Sequence, residues 1–162
     1  MRYTSIVDIS DLKKTWGNFE KRTKYEIRKC SQKVKIKDDI IRFDELHYLS
    51  RPDRVISSGW LHSLYNSLWA DNRAAIYLTE TAGALISWDK EKKIGYYLLA
   101  GRDKTKKSDG SPSKILWQAM QDLNKKGIKK FNLCGYNKPN IQLFKRGFGG
   151  EIIEQETPCV SY

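Results

Sequence analysis

The chain has 162 residues, of which 40% are hydrophobic and 12% aromatic, and its net charge at pH 7 is +11. This length fits one domain with its own core, and the apolar content excludes an intrinsically disordered protein. No apolar run approaches the roughly 20 residues that span a bilayer, and the first residues lack a signal-peptide core. We therefore expect a single domain over residues 1–162, soluble and cytoplasmic, whose excess of cations favours anionic partners.

The three cysteines, Cys30, Cys134 and Cys159, are odd in number and far apart, a pattern that does not suggest a disulfide framework. No cysteine pair has the spacing of metal ligands, and His47 and His62 are isolated from each other. We therefore expect neither a disulfide scaffold nor a metal site.

Residues 1–31 are predicted to form a basic helical lead-in. Ser10 can cap a short first helix, and Asn18 can cap a second helix that continues to Ser31. The buried face of the second helix is predicted at Phe19, Thr23, Ile27 and Cys30. The remaining positions, and the segment that follows, are densely basic, with cations at Lys21, Arg22, Lys24, Arg28, Lys29, Lys33, Lys35 and Lys37. The apolar residues between the last three lysines indicate a short edge strand.

Residues 40–72 follow a helical period that Pro52 interrupts, so we expect two helices, the second starting at Ser57 or Ser58. The residues of that helix predicted to face inward are Leu61, Leu64, Leu68 and Trp69. The period then changes, and three apolar segments, 74–79, 84–88 and 94–100, are predicted to be consecutive strands. Strands of this composition are expected to be covered on both faces.

A basic loop, residues 101–111, leads into another helix, for which Ser111 and Pro112 form a cap and first-turn pair. The buried stripe of this helix is predicted at Ile115, Leu116, Ala119, Met120 and Leu123. Lysines and Gly127 are placed to end it.

The last part of the chain is predicted to contain a strand, a short helix and a final strand. Phe131 and Leu133 mark the first strand, Asn137 can cap the helix, and residues 150–162 form a β-like tail. This order of elements resembles the GNAT acyltransferase fold.

Four segments also resemble the Fem family of aminoacyltransferases and its acetyltransferase-like relatives. They are Trp16 with the basic run 21–29, the strand 96–101 leading into Ser111-Pro112, residues 127–135 and residues 141–150. The fourth is the most specific, because Phe144-Lys145 followed by Gly147-Phe148-Gly149 is a narrow pattern. Together the segments cover most of residues 16–151.

The resemblance implies an α/β (α+β) domain with a GNAT-like mixed, mainly antiparallel sheet of about six strands, flanked by helices on both faces. Within it, residues 74–162 are expected to form the donor-binding and catalytic core. Fem enzymes contain two such units, and this chain has the length of one. Whether it acts alone, as a homodimer or as half of a two-unit pair stays open.

GNAT enzymes hold the acyl donor where two parallel strands part, which places the expected donor strand at residues 94–101. The resemblance implies that Leu98, Leu99 and Ala100 bind the acyl carbonyl through main-chain N–H groups. The start of the next helix is a candidate anion site, since its free N–H groups and the helix dipole favour negative charge. The residues expected to contribute there are Arg102, Lys107, Gly110, Ser111 and Ser113.

The loop before that helix differs from the corresponding loop of simple GNAT enzymes. It lacks the Arg/Gln-x-x-Gly-x-Gly/Ala pattern with which simple GNAT enzymes cradle the pyrophosphate of CoA. Asp109 in this loop would repel a phosphate.

Lys145 is the foremost catalytic candidate, with Phe144 beside it. The resemblance implies that this lysine lies at the reaction centre and neutralises anionic charge. Desolvation beside an aromatic ring would strengthen that interaction. The alternative is a surface lysine at a helix end, where the helix dipole favours a cation.

The groups that would move protons are less well defined. Leu143 stands where many acetyl-CoA-dependent GNAT enzymes have a tyrosine, and Tyr136 is a candidate substitute. Asp103 and Asn132 are candidate bases, although the acceptor could lose its proton to water. Cys134 lies near a strand end, but no histidine is placed to activate it, so a core cysteine is favoured over a nucleophile.

Three functions are compatible with these features. The first, favoured by the frequency of single-unit GNAT enzymes, is an N-acyltransferase that takes acyl-CoA as co-substrate and a small-molecule or peptidyl primary amine as acceptor. The second is an aminoacyl-tRNA-dependent transferase, which Phe144-Lys145, the atypical CoA loop and the basic stretch 21–37 support. The third is a non-catalytic nucleic-acid-binding module, for which no dedicated motif is present.

Overall fold

The computed structural model describes residues 2–159, which form seven strands and six helices. The strands are β1 (Arg2–Asp8), β2 (Lys35–Ile36), β3 (Ala74–Leu78), β4 (Ala82–Asp89), β5 (Ile94–Arg102), β6 (Lys130–Gly135) and β7 (Glu151–Gln155). The helices are α1 (Leu12–Gly17), α2 (Lys21–Lys29), α3 (Ile40–Ser50), α4 (Ser58–Ala70), α5 (Ser111–Lys125) and α6 (Pro139–Arg146).

All seven strands belong to one sheet, in the order β2-β3-β4-β5-β6-β1-β7. Every neighbouring pair is antiparallel except β5 and β6, which run parallel. A mixed, mainly antiparallel sheet with helices on both faces is the predicted fold class, which is therefore confirmed. The sheet contains one strand more than the sequence indicated.

Two hydrophobic cores lie on opposite faces of the sheet. The first contains the predicted stripe of α5, with Phe19 and Ile27 from the region of α2. The second contains buried residues of α3 and α4, namely Phe43, Leu46, Leu61 and Tyr65. Alternate residues of β4 enter both cores, Ile86 the first and Leu85 the second. Strand β4 is therefore covered on both faces, as its composition predicted.

The additional strand is β1, so the prediction of a wholly helical lead-in over residues 1–31 is wrong for residues 2–8. β1 lies between β6 and β7, with Thr4 opposite both Gly135 and Ile153. Thr4 and Ser5 are buried although they are polar. Because Thr4 and Ser5 occupy two of its three buried positions, beside Val7, β1 lacks the apolar alternation by which a strand is recognised.

Several predicted helix caps are displaced. Asp11, not Ser10, caps α1, because its carboxylate accepts hydrogen bonds from the N–H groups of the first turn. Asn18 follows the end of α1, and α2 begins after Glu20 without a side-chain cap. Gly110, not Ser111, is the N-cap of α5.

The caps of the last helices show one further error and one confirmation. The cap residue of α6 is Lys138, whereas the Asn137 side chain accepts a hydrogen bond from the N–H of Tyr3. Ser57 caps α4 as predicted, through a hydrogen bond from the N–H of Trp60. A polar side chain several residues from a helix start can serve another element, which local spacing does not reveal.

The burial of α4 also differs from prediction at one position. Trp69 lies in the last turn and is 55% exposed, while Tyr65 is buried in its place. The predicted β-like tail is strand β7 as far as Gln155, and residues 160–162 of that prediction lie outside the described range. No helix within residues 2–159 has the length and apolar composition needed to cross a membrane.

Candidate active site where two parallel strands diverge

Strands β5 and β6 pair over a short distance and then separate. Three residue pairs join them, the last being Tyr96 with Asn132. Beyond this pair β5 continues beside β4 as far as Arg102, while β6 continues beside β1 as far as Gly135. The two strands part at the place that the sequence predicted for the acyl donor.

A β-bulge lies directly after this point in β5. Leu99 pairs with Leu85 and Tyr97 with Ile86, so Leu98 is an extra residue without a partner in β4. Tyr97 packs toward the core of α5, whereas Leu98 and Leu99 pack toward the core of α3 and α4. The bulge thus lies among the residues predicted to bind the donor through their main chain.

The ammonium group of Lys145 lies at the opening between the two strands. Its Nζ donates hydrogen bonds to the carbonyl oxygens of Leu133 (2.5 Å) and Gly135 (2.6 Å) and lies 5.5 Å from the centre of the Tyr97 ring. The residue is 8% exposed, and no carboxylate in residues 2–159 forms an ion pair with it. Burial lowers the pKa of Lys145 to about 8. This geometry excludes the alternative of a solvated surface lysine.

The end of α6 that carries Lys145 is held against α2. Phe148 is fully buried and packs edge-to-face on Phe19 and Phe144, with ring centres 5.2 and 5.5 Å apart. The N–H of Glu20 donates to the carbonyl of Gly147 (2.9 Å), and a Cβ at Gly147 would lie 2.1 Å from Oγ1 of Thr23. The Gly-Phe pair after Phe144-Lys145 is therefore what lets α6 approach α2 closely.

A turn at Cys134 orients the carbonyl groups of Leu133 and Gly135, which accept hydrogen bonds from Lys145. Cys134 has a φ of 61°, in the left-handed region that non-glycine residues seldom adopt. Its N–H donates to Oδ1 of Asn132 (2.7 Å), and its carbonyl accepts from Oγ1 of Thr4 (3.2 Å). Thr4 also donates to the Asn132 side chain. The candidate base Asn132 is thus engaged in shaping the backbone around Lys145.

Cys134 also forms a disulfide with Cys159. This pairing corrects the expectation that the cysteines form no disulfide and that Cys134 is a free core residue. The bond ties the segment after β7 to the end of β6. The sequence did not predict this disulfide because the two cysteines are 25 residues apart, and spacing alone does not show which residues the fold brings together.

A cleft of about 350 Å³ opens beside β5, on the face of the sheet that α5 covers. Ala100 and Arg102 of the predicted donor site line it, as do Gly110 and Ser113 at the start of α5 and Phe144 of α6. Tyr97 lines the cleft too, so the ring beside the Lys145 ammonium is also a wall of the cleft.

Other predicted site residues lie away from the cleft lining. Lys107 is exposed on the preceding loop, and Tyr136 is buried next to β1, where its N–H donates to the carbonyl of Tyr3. The carboxylate of Asp103 accepts hydrogen bonds from the N–H and hydroxyl of Thr105 in its own turn. Neither Tyr136 nor Asp103 is among the residues that line the cleft.

The first turn of α5 is occupied by groups of the chain itself. Ser111 is fully buried, and its N–H donates to Oδ1 of Asp109 (2.9 Å). Burial raises the pKa of Asp109, but hydrogen bonds from Thr81 and Ser111 outweigh it and bring the pKa below its ordinary value. An ionised carboxylate therefore stands where a bound pyrophosphate was expected.

Helix α2 packs against the same turn and brings Glu26 into the cleft. The hydroxyl of Ser113 donates to Oε2 of Glu26 (2.7 Å). A Cβ at Gly110 would lie 2.4 Å from the carbonyl oxygen of Glu26, so only glycine fits between the two helices. Sequence patterns do not single out Glu26, because its place in a basic helix gives no sign that it faces a cleft.

The exposed side of α2 and the adjoining segment form a basic surface, which we define as the cations from Lys21 to Lys37. Exposed members include Lys29, Lys33, Lys35 and Lys37, and Tyr25 among them is 63% exposed. The last three lysines border a second, polar cleft of about 470 Å³ at the β2 edge of the sheet. The basic surface thus extends from α2, which carries Glu26 of the first cleft, to the β2 edge of the sheet.

Structural comparison shows what this fold is similar to. FemX matches with a TM-score of 0.82 and 12% identity, over 94% of this chain and 60% of FemX. L-PGS from Bacillus licheniformis matches with a TM-score of 0.60 and 10% identity, over 93% of this chain and 57% of that protein.

A third match is the C-terminal domain (DUF2156) of a protein from Agrobacterium fabrum named as a putative lysylphosphatidylglycerol synthetase. Its TM-score is 0.56 and its identity 15%, over 93% of this chain and 57% of that domain. This chain therefore spans 60% or less of each of the three structures. No protein-family model and no curated protein sequence matches the chain. At these identities the likeness shows a Fem- and GNAT-like fold.

Proposed function

We propose that this chain is the catalytic unit of an aminoacyltransferase that takes its acyl group from an aminoacyl-tRNA and transfers it to a primary amine. The observation that carries this proposal is the first turn of α5, where Asp109 and Glu26 supply carboxylates close to the buried N–H groups. Negative charge there opposes the pyrophosphate of CoA. The donor's phosphates are better accommodated away from this turn.

The basic surface is suited to binding the phosphates of a tRNA donor. Lys29, Lys33, Lys35 and Lys37 are solvent-exposed. Exposed cations beside an exposed aromatic ring such as Tyr25 are typical of surfaces that follow a nucleic-acid backbone. The likeness to FemX and to the lysylphosphatidylglycerol synthetase domain supports the same donor class.

In the proposed reaction, the acceptor amine attacks the ester carbonyl carbon of the donor. A C–N bond forms, the ester C–O bond breaks, the amine loses a proton to water, and the 3′ oxygen of the tRNA gains one. We assign binding of the ester carbonyl oxygen to main-chain N–H groups at the bulge of β5. Lys145, with a pKa near 8, is mostly protonated at neutral pH and supplies positive charge at the opening between the strands.

The acceptor is a small-molecule or peptidyl primary amine. Its class stays open, because the first cleft is assigned to the donor and nothing in residues 2–159 singles out one amine. Acyl-CoA is the second candidate donor, since β5 beyond Tyr96 pairs with β4 but has no partner in β6, and that open side suits a pantetheine arm equally well.

Binding measurements separate the two donors. We expect bulk tRNA to bind and its affinity to fall steeply between 50 and 200 mM salt, as counterion release requires (about 10³-fold or more for six phosphate contacts). Acetyl-CoA is expected to leave the melting temperature unchanged. If acetyl-CoA clearly raises the melting temperature, and tRNA binding is absent or independent of salt, the donor is an acyl-CoA and not an aminoacyl-tRNA.

A further inference from the structure

The first cleft contains an unusual carboxylate. Of the residues within 2–159 that line it, Glu26 and Arg102 are the two with an acidic or a basic side chain. Glu26 is half-buried, and no cation within residues 2–159 lies within ion-pair distance of it. In a protein with a net charge of +11, an unpaired carboxylate in a cleft calls for a physical reason.

The cations nearest to Glu26 along its helix point elsewhere. Arg22, one turn earlier, donates to the carbonyl of Leu143 (2.7 Å) and pairs with Glu20. Lys29, one turn later, lies over the ring of Tyr25, 5.2 Å from its centre. Glu26 therefore forms none of the helical ion pairs that its spacing would allow.

Support of α5 is the simplest structural reason for this residue. Its Oε2 accepts from the hydroxyl of Ser113 (2.7 Å), and a carboxylate near a helix N-terminus is favourable. A neutral acceptor would serve Ser113 equally well, and Asp109 already accepts from the first N–H of the helix. The support of α5 thus does not require a second charge, and Oε1 of Glu26 is left for a ligand.

We propose that Glu26 binds the α-ammonium group of the donor, so that the cleft selects acyl groups that carry a free amine. This inference rests on the proposed function, because an aminoacyl ester has such a group and an acetyl thioester does not. The aromatic walls, Tyr97 and Phe144, suit the body of the acyl group. Arg102 supplies the opposite charge for the terminal phosphodiester.

A pair of stable analogues tests the inference without tRNA. The probe is 3′-(L-alanylamino)-3′-deoxyadenosine, an amide in place of the ester, and its control is the N-acetyl derivative, which has no ammonium. Isothermal titration with the unaltered protein should show at least about tenfold tighter binding of the free amine, as for one charge-assisted hydrogen bond. Equal affinities, or no binding of either compound, would overturn the inference.

Two variants test whether Glu26 is the residue that causes the preference for the free amine. Glu26→Gln keeps an acceptor for Ser113 and should lose the preference, while its affinity for the N-acetyl compound stays unchanged. Ser113→Ala removes the hydrogen bond but not the charge, and it should keep the preference. The assignment to Glu26 would be overturned if the Glu26→Gln variant still bound the free amine more tightly, or if it lost affinity for both compounds equally.

The outcome is separable from that of the proposed function. Discrimination between the analogues without tRNA binding would leave Glu26 as an ammonium site for a smaller aminoacyl donor. Binding of tRNA without discrimination would remove this inference alone.

Discussion

The ammonium of Lys145 lies 5.5 Å from the centre of the Tyr97 ring, and this contact joins α6 to β5 across the gap that opens between β5 and β6. The two residues come from opposite sides of the gap. The ring also forms a wall of the first cleft. A change at either residue should therefore affect the cleft and the charged centre together.

Replacement of Lys145 by alanine should lower turnover at least about tenfold, since it removes the positive charge that the proposed reaction requires beside the ester. Lys145→Arg keeps a charge but has a different donor geometry, and it should retain more activity than the alanine variant. Single-turnover transfer from aminoacyl-tRNA measures both, with circular dichroism as the test of folding. A folded alanine variant with unaltered turnover would show that another group supplies the charge.

The lowered pKa of Lys145 predicts a specific pH dependence of stability. The folded-state pKa is about 8 and the ordinary value 10.5, so between these values the unfolded chain holds a proton that the folded chain has released. The free energy of unfolding should therefore rise with pH across this window, relative to Lys145→Met, by up to roughly 3 kcal/mol. Urea titrations of both proteins from about pH 7.5 to about pH 10.5 measure the difference. A constant difference would mean that the lysine is not desolvated.

Loss of the disulfide between Cys134 and Cys159 should destabilise the fold. The bond closes a loop of 25 residues, for which loop-closure entropy predicts a stabilisation of about 3.5 kcal/mol. Dithiothreitol should lower the melting temperature of the unaltered protein and of Cys30→Ser, whose thiol is free and buried, but not that of Cys159→Ser. Equal sensitivity of all three would argue against the bond. Disulfides are rare in the reducing cytosol, so this measurement also bears on the expected cytoplasmic location.

The close approach of Gly110 to Glu26 can be tested with a matched pair of glycines. Gly110 and Gly127 have nearly equal φ values, 81° and 83°, but a Cβ at Gly110 would lie 2.4 Å from the Glu26 carbonyl, whereas one at Gly127 meets nothing within 4 Å. Gly127→Ala should cost about 1 kcal/mol from backbone strain alone. Gly110→Ala should lower the free energy of unfolding by roughly 1–3 kcal/mol more than Gly127→Ala does, and it should weaken binding of the alanylamino analogue. Equal losses of unfolding free energy in the two variants would show that α2 does not rest on this turn.

The basic surface predicts which lysines bind tRNA. The double change Lys35→Gln and Lys37→Gln, at the β2 edge, should reduce the salt slope of tRNA binding by about one for each phosphate that the variant no longer neutralises. Lys90→Gln with Lys92→Gln makes the same change in charge at the β4–β5 turn, at the opposite end of β4, and should leave the slope unaltered. If both double variants reduce the slope equally, the effect is one of net charge and not of this surface.

The parts of the fold that sequence patterns predict well are those in which apolar residues repeat along one element. The stripe of α5 and the two-sided burial of β4 are examples, since period and composition are local properties. β1 escaped prediction because its buried residues include Thr4 and Ser5, which are held in the sheet by strands far away in the sequence.

The candidate site was predictable only where a motif carried it. The Phe-Lys and Gly-Phe pairs pointed to Lys145, which is buried between β6 and Tyr97. Its catalytic role stays a prediction. Glu26 could not be found in this way, because the packing of α2 against α5 brings together residues that are far apart in sequence. The pairing of Cys134 with Cys159 was missed for the same reason.

The position of β1 has a consequence for how the chain folds as it leaves the ribosome. Within residues 2–159, β1 pairs only with β6 and β7, so Thr4 cannot pair with Gly135 or Ile153 until those later segments have been synthesised. The strands β3 to β5 can associate much earlier, since they pair with their neighbours in sequence. The opening beside Lys145 is therefore assembled late during synthesis, and a nascent polypeptide that ends before β6 would hold β5 without its parallel partner.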